Sequence, residues 1–485
     1  MKDNLKRKTV AGFFWKTAER VGTQGVSFIV SIVLARMLTP EDYGIIALIS
    51  IFITISNVFI LSGLGTALIQ KKDADETDYS SVFYCSVFIA ILAYSVLFMT
   101  APIISHFYQE PILVAVIRVL GIGLLFSGVN TVQNAYVSKT MQFKRFFYST
   151  LSGTLVSAVI GIVLAIKGAG VWALVFQQLV NSFVNTVVLW YTVKWRPKLL
   201  FSKTRLKKLY GFGWKLLVSS LLEQLYNNIY GLVIGKVYNS YWLGVYNKGL
   251  NFPNLIVSNL IGPIQSVLLP ALSIQQDDKK AMRQMLRKMI QVSAYVFFPL
   301  LMGMAATGDA IVGILLTDKW NACIPFLRIS CITLSFIPIQ MVNVQAIGAL
   351  GKGATYLKIE VIKETIGYIL LVVSLPFGIY AMVIGKAIQS LIAFFVQIYY
   401  NRKLFDYEVS KQLQDVFPAF FLSVVMGFIV EKISLLSFPD VFTLCIQIVL
   451  GIIIYVLGSY VLRIEAMVDV LNVCKKYQIK KKNRS

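Results

Sequence analysis

Residues 44–69 read GIIALISIFITISNVFILSGLGTALI, 26 positions without one charged side chain. About 20 apolar residues in a helix cross the hydrocarbon core of a bilayer, so this run spans with room for tilt. Charges stand on both sides of it, Glu41 and Asp42 before and Lys71 and Lys72 after. Outward from this stretch, similar runs recur at about 10–37, 80–101, 112–137, 146–166, 170–193, 211–237 and 243–272. They continue at about 285–307, 322–349, 358–376, 378–400, 413–432 and 440–462. The runs are long and do not alternate, which argues for helices over a β-barrel. Hydrophobic residues make up 57% of the 485-residue chain and charged ones 14%, more apolar surface than a soluble protein can hide. The expected fold is an all-α integral membrane protein of about 14 transmembrane helices.

The sparse charges are ordered. With the N-terminus placed in the cytoplasm, one side collects Lys2, Lys6, Arg7 and Lys8; Lys71 and Lys72; Lys139, Lys144 and Arg145; and the segment Lys194 to Lys208. The same side holds Lys279, Lys280, Arg283, Arg287 and Lys288; Arg402, Lys403 and Lys411; and the tail from Lys475 to Arg484. The opposite loops carry little beyond Arg36, Lys167, Lys236 and Lys319. By the positive-inside rule both termini are cytoplasmic. The excess of 46 Lys and Arg over 23 Asp and Glu then serves insertion and attraction to anionic headgroups. No single basic patch forms, so a nucleic-acid partner is not expected. Lys16, Glu19 and Arg20 interrupt the first apolar run, so it reads as a retained span and not a cleaved signal.

The chain repeats after about 200 residues. Gly12-Phe13-Phe14-Trp15-Lys16 corresponds to Gly211-Phe212-Gly213-Trp214-Lys215, Arg36 to Lys236, and Tyr43-Gly44 to Leu243-Gly244. An even number of spans per unit keeps both copies in one orientation. The expected division is a six-helix lobe over 1–194, a cytoplasmic amphipathic linker over 195–210, a second six-helix lobe over 211–402, and two added helices with a basic tail over 403–485. In the linker, Ser202 is placed to cap a helix with Leu206, Leu209 and Phe212 on one face and Lys203, Lys207 and Lys208 on another.

No enzyme chemistry is legible. His106 is the only histidine, so no histidine metal cluster or histidine-activated nucleophile can form. Gly351-Lys352-Gly353 lacks the rest of a phosphate-binding loop. Asp73, Asp75 and Asp78 crowd a tight loop beside Lys71 and Lys72, where solvated charges are expected. Neither enzyme activity nor a cofactor or metal is expected. The five cysteines, Cys85, Cys323, Cys331, Cys445 and Cys474, contain no paired motif and read as small apolar residues.

Charges inside spans are more telling, since each costs roughly 2.5–3.5 kcal/mol at mid-bilayer. Lys16, Arg20 and Gln24 follow i, i+4, i+8 spacing on one face of the first helix, with Glu19 beside them. Lys215 and Glu223 stand eight apart in the matching helix, with Ser219 between them. Either these faces line a wet, net-positive chamber, or Lys16 and Lys215 snorkel to the cytoplasmic interface. Arg118 and Lys248 are further candidates, Lys248 near an outer mouth. Lys358, Glu360, Lys363 and Glu364 are either an ion-pair set or contain an ion-coupling carboxylate. A basic chamber suits an anion such as a diphosphate, which Lys and Arg pair with charge-assisted hydrogen bonds.

Several stretches together carry a family resemblance. They are Leu38-Thr39-Pro40-Glu41-Asp42-Tyr43-Gly44, Gly63 to Gln70, Gly168 to Val175, Leu243 to Lys248, Phe252-Pro253-Asn254, Leu269 to Ser273 and Asp318-Lys319-Trp320. On these the chain resembles the Wzx-like polysaccharide-transport flippases of the multidrug/oligosaccharidyl-lipid/polysaccharide exporter superfamily, in the exopolysaccharide and teichuronic-acid branch. The resemblance covers roughly residues 1–410. It implies two pseudo-symmetric six-helix lobes in a V that alternate between inward- and outward-open states, in a bacterial cytoplasmic membrane. It implies a polyprenyl-diphosphate-linked glycan as substrate, membrane lipids as partners, an H+ or Na+ counter-ion, and contact with other polysaccharide-assembly proteins. On that reading Lys16, Arg20, Gln24, Lys215, Glu223, Lys248 and Arg118 contact substrate, and Glu19 and Glu360 are the ion-coupling candidates. The alternative is a cation-coupled multidrug exporter of the same superfamily, which calls for an acidic cavity.

Overall fold

The computed structural model describes residues 2–61, 63–275, 277–436 and 438–468. The basic tail from Lys475 to Arg484 lies outside them. Eighteen α-helices are described: α1 (Lys2–Met37), α2 (Pro40–Leu61), α3 (Leu64–Gln70), α4 (Glu76–Tyr108), α5 (Ile112–Leu120) and α6 (Gly123–Lys139). Then come α7 (Lys144–Ile166), α8 (Val171–Thr192), α9 (Lys203–Val237), α10 (Ser240–Ile274), α11 (Lys279–Ala306) and α12 (Gly308–Leu315). The last are α13 (Ile324–Ser335), α14 (Ile337–Ala349), α15 (Gly353–Ser374), α16 (Ile379–Phe405), α17 (Val409–Lys432) and α18 (Asp440–Val461).

Among the described residues, ten stretches are long and apolar enough to cross a membrane. They are Pro40–Gln70, Glu76–Tyr108, Ile112–Lys139, Lys144–Ile166, Val171–Thr192, Lys279–Ala306, Asp318–Ala349, Ile379–Phe405, Val409–Leu436 and Asp440–Val461. The chain is therefore a multi-pass, all-helical membrane protein. The long helices outside this set are α1, α9, α10 and α15, and these carry the polar residues singled out above except Arg118, which lies on α5. Side chains such as Met99 and Ile103 on α4 and Tyr460 on α18 are 70–74% exposed. In water such a surface would be a liability; against acyl chains it is the expected one.

Packing divides the chain into two compact units between Gly244 and Val245. In the first, α9 packs on α2, α3 and α4, and α7 lies along both α1 and α8. Small residues permit the close approaches: a Cβ on Gly153 would lie 2.9 Å from the Asn181 carbonyl oxygen, and one on Gly161 3.1 Å from the Gln177 side chain. Leu64, Leu68, Tyr79, Val82, Val132, Trp195 and Leu209 form a core beside the start of α9. In the second unit α11 packs along α17, and α13, α14 and α16 close around a core that includes Phe298, Phe336, Phe394 and Phe405.

The linker reads differently in three dimensions. Residues 193–202 are non-helical, and Ser202 then caps α9, its hydroxyl accepting from the Arg205 N–H at 3.4 Å. The amphipathic segment is the opening of α9 and continues without a break to Val237. Leu206 and Leu209 join the core while Lys203, Lys207 and Lys208 stay exposed.

Two stretches that correspond in sequence meet in a reciprocal contact. A Cβ on Gly44 would lie 1.7 Å from the Ser240 carbonyl oxygen, and a Cβ on Gly244 1.9 Å from the Pro40 carbonyl oxygen. Positions 40 and 44 thus meet 240 and 244 in the crossed pairing that a local two-fold relation produces.

Candidate substrate-facing helices

Helix α1 offers the predicted polar face. Lys16 and Arg20 are exposed and Gln24 is half-buried. Lys16 is engaged: its Nζ lies 2.8 Å from Oε2 of Glu19 and 5.3 Å from the ring centre of Phe146 on α7. Lys144, which sequence reasoning placed only among the topogenic charges, stands 5.3 Å over Trp15 and 5.6 Å over Tyr148. This end of the α1–α7 pair is thus a basic and aromatic cluster, each ammonium resting on a ring face. An exposed pair like Lys16–Glu19 contributes at most about 1 kcal/mol, so it leaves the lysine available to another anion.

The polar face of α9 is wider than expected. Ser219, Ser220, Glu223 and Asn227 are exposed, and Gln224 and Asn228 are half-buried. The Asn228 amide donates to the Gln224 carbonyl at 2.8 Å. Lys215 belongs to α9, but its side chain lies outside the described residues. The missed signal was in plain view: the pattern i, i+1, i+4, i+5, i+8, i+9 from Ser219 marks one continuous stripe.

The remaining candidates sit in surroundings of their own. Lys248 is 3% exposed, with its ammonium 5.4 Å from the ring centre of the buried Trp320. Next to it, Gly249 brings α10 against the turn before α13; a Cβ there would lie 2.8 Å from the Cys323 carbonyl oxygen. Arg118 stacks 4.3 Å over Phe98, and its buried Nε has no hydrogen-bond partner. Glu360 pairs with Lys363 at 2.5 Å, and Lys363 with Glu364 at 3.3 Å. Among the described residues no cluster of His, Cys, Asp and Glu stands ready to hold a metal ion.

Two ion-pair networks were not foreseen. Asp78 is fully buried, and its Oδ2 accepts from Lys71 at 2.5 Å and from the Asp75 N–H at 3.1 Å. Arg205, at the start of α9, bonds Asp75 and reaches Asp78 at 3.7 Å. Its guanidinium, with the Asp78 N–H, holds the Asp75 carboxyl down at about 2. The acidic loop is therefore a fastener for α9, with Asp73 and Asp75 exposed and Asp78 buried. In the second unit Arg287 binds Asp415 through two 2.8 Å bonds and Glu465 at 3.2 Å, and Gln291 and Tyr407 donate to the same Asp415. Burial, reinforced by that bond to Asp415, pushes the Tyr407 hydroxyl up. Partners separated by 128 residues in sequence leave no local pattern to read.

Apolar helical spans joined to polar faces on α1 and α9 are the layout of a membrane carrier. The chain belongs to the family described as polysaccharide biosynthesis proteins, which matches residues 33–325. It is 23% identical over 406 residues to the lipopolysaccharide biosynthesis protein WzxC of Escherichia coli (strain K12), covering 76% of this chain and 82% of that one. It is 23% identical to the teichuronic acid biosynthesis protein TuaB of Bacillus subtilis (strain 168), over 68% of each. Its fold matches that of the lipid II flippase MurJ in an inward closed conformation, with a TM-score of 0.73, 15% identity, and coverage of 94% of this chain and 100% of that one.

Proposed function

We propose that this protein carries polyprenyl-diphosphate-linked oligosaccharide units from the cytoplasmic to the outer leaflet of a bacterial cytoplasmic membrane, by alternating access, for cell-surface polysaccharide synthesis. The observation that carries the reading is family membership joined to a polar face on α1 that bears Lys16 and Arg20 in an otherwise apolar bundle. A polyprenol tail is at home in lipid, whereas a diphosphate bearing sugars is not. Exposed cations along a membrane helix provide the charge-assisted partners that a diphosphate needs. In this reading α1, α9, α10 and α15 are added to the ten apolar stretches as spans, making fourteen, with both termini cytoplasmic. Lys16, Arg20, Gln24, Lys215 and Glu223 contact the headgroup. Lys248 and Arg118 hold their neighbourhoods in shape through Trp320 and Phe98 and act on substrate only through that. Glu19 and Glu360, each tied to a lysine, are the carboxylates through which an H+ or Na+ would couple. Net-positive α1 speaks against a cavity built for cationic drugs.

The test is mass spectrometry of lipids that co-purify with the gently solubilised protein. A polyprenyl-diphosphate glycan is expected on the wild type, depleted at least about tenfold on Arg20→Gln and partly retained on Arg20→Lys. A bound hydrophobic cation in its place would turn the assignment toward drug export.

A further inference from the structure

Helix α9 touches the turn after α2 at one end and α2 itself farther along. At the cytoplasmic end Gly63 meets Gly213, where an added Cβ would lie 2.7 Å from the facing Cα. Farther along, Gly231 meets Ile51 and Gly235 meets Leu48, with gaps of 2.9 and 2.4 Å to an added Cβ. The path along α9 from Gly213 to Gly231 is 18 residues, roughly 27 Å of helix. Over that stretch, exposed side chains on the α2-facing side of α9 mark a gap between its contacts.

What faces that gap is polar on one side and aromatic on the other. Ser220, Gln224 and Asn227 follow Gly213 by 7, 11 and 14 residues, all near whole turns, so they share the face that packs at both ends. Ser220 and Asn227 are nevertheless exposed, with Glu223 exposed on their flank. Across from them, Ile55 and Phe59 follow Ile51 by four and eight residues, and Phe59 is 41% exposed. Among the described residues the stripe contains no cation.

We propose that this gap is the sugar-binding surface of the carrier, taking neutral, hydroxyl-rich pyranose rings of the lipid-linked glycan. The inference rests on the transport function proposed above and adds where the glycan is read. A pyranose has an apolar C–H face and an equatorial rim of hydroxyls. Phe59 and Ile55 match the face; the amides of Asn227 and Gln224 and the hydroxyl of Ser220 match the rim, donating and accepting alike. The carboxylate of Glu223 accepts from sugar hydroxyls and repels a second carboxylate, so a uronic acid is disfavoured at this position.

The experiment measures binding of undecaprenyl diphosphate, undecaprenyl-diphosphate-linked glucose and undecaprenyl-diphosphate-linked glucuronic acid to the full chain in lipid nanodiscs. The glucose carrier is expected to bind about three- to tenfold tighter than the bare one, the worth of one or two good hydrogen bonds. That ratio falls to about one in Asn227→Leu and in the milder Ser220→Ala, and stays in Val218→Ala, whose side chain points elsewhere. The glucuronate carrier gains less than glucose in the wild type and recovers in Glu223→Gln. A ratio that survives Asn227→Leu and Ser220→Ala, or a glucuronate gain equal to that of glucose, overturns the sugar surface alone. If the wild type prefers none of the three over phosphatidylglycerol, the transport function falls and the sugar surface with it.

Discussion

Asp78 shows how far one buried side chain reaches. Its carboxylate has no solvent exposure and ties Lys71 to the N-terminal turn of α4, while Arg205 brings in the start of α9. Removing the carboxylate leaves Lys71 and the Asp75 N–H without their acceptor, so Asp78→Ala should cost about 2–4 kcal/mol, read as a lower melting temperature in detergent. The neighbouring pair gives a pH signature. Asp75 has a folded value of about 2 against an ordinary 3.8, so the contact with Arg205 stabilises above about pH 4 and is lost as pH falls through about 2. Arg205→Ala should therefore melt below the wild type at pH 5–7, with the difference fading as pH falls toward about 2. An equal difference across that range would place the effect of Arg205 outside its bond to Asp75. The sequence displays all three residues, but not that a loop at 75–78 receives a guanidinium from position 205.

At the scale of elements, α2, α9 and the start of α10 are joined through glycines. Gly44 and Gly244 admit the carbonyl oxygens of Ser240 and Pro40 at distances that no Cβ tolerates. Gly63 adds a left-handed φ of 70° to a close contact in which a Cβ would lie 2.7 Å from the Gly213 backbone. Gly44→Ala and Gly244→Ala should each abolish a monodisperse peak in size-exclusion chromatography. Gly25→Ala, on α1 with nothing within 4 Å, should leave the peak intact and gain up to about 1 kcal/mol of helix propensity. A well-behaved Gly44→Ala would mean that the α2–α10 contact yields easily. The spans themselves were legible, because runs of apolar residues declare a membrane helix locally. The α9 stripe was half legible: Glu223 and Ser219 drew notice by charge and spacing, and Asn227 did not, because uncharged amides also sit inside helix–helix contacts. Asn343, Gln397 and Asn401 do just that, hydrogen-bonded to one another and all but fully buried.

For the molecule as a whole, charge asymmetry sets orientation. If both termini lie in the cytoplasm, as proposed, a single cysteine at Lys167 in a chain cleared of its own five cysteines should react with an impermeant external reagent. One at Lys279 should be protected until the membrane is opened. The reverse pattern would invert the topology and with it the proposed direction of transport. Composition, the order of apolar runs and the side on which basic residues gather are properties of the chain read in line, because insertion responds to segments one after another. From these the sequence by itself determined that this is a multi-pass helical membrane protein, and with its motifs, which family it belongs to. Only the tertiary structure decided that Lys248 is buried against Trp320, that the acidic loop fastens α9, and that the polar stripe of α9 is exposed between its contacts. Each depends on groups brought together from distant positions, and whether a polar side chain meets lipid, a partner or open space is set by packing, which no local pattern records.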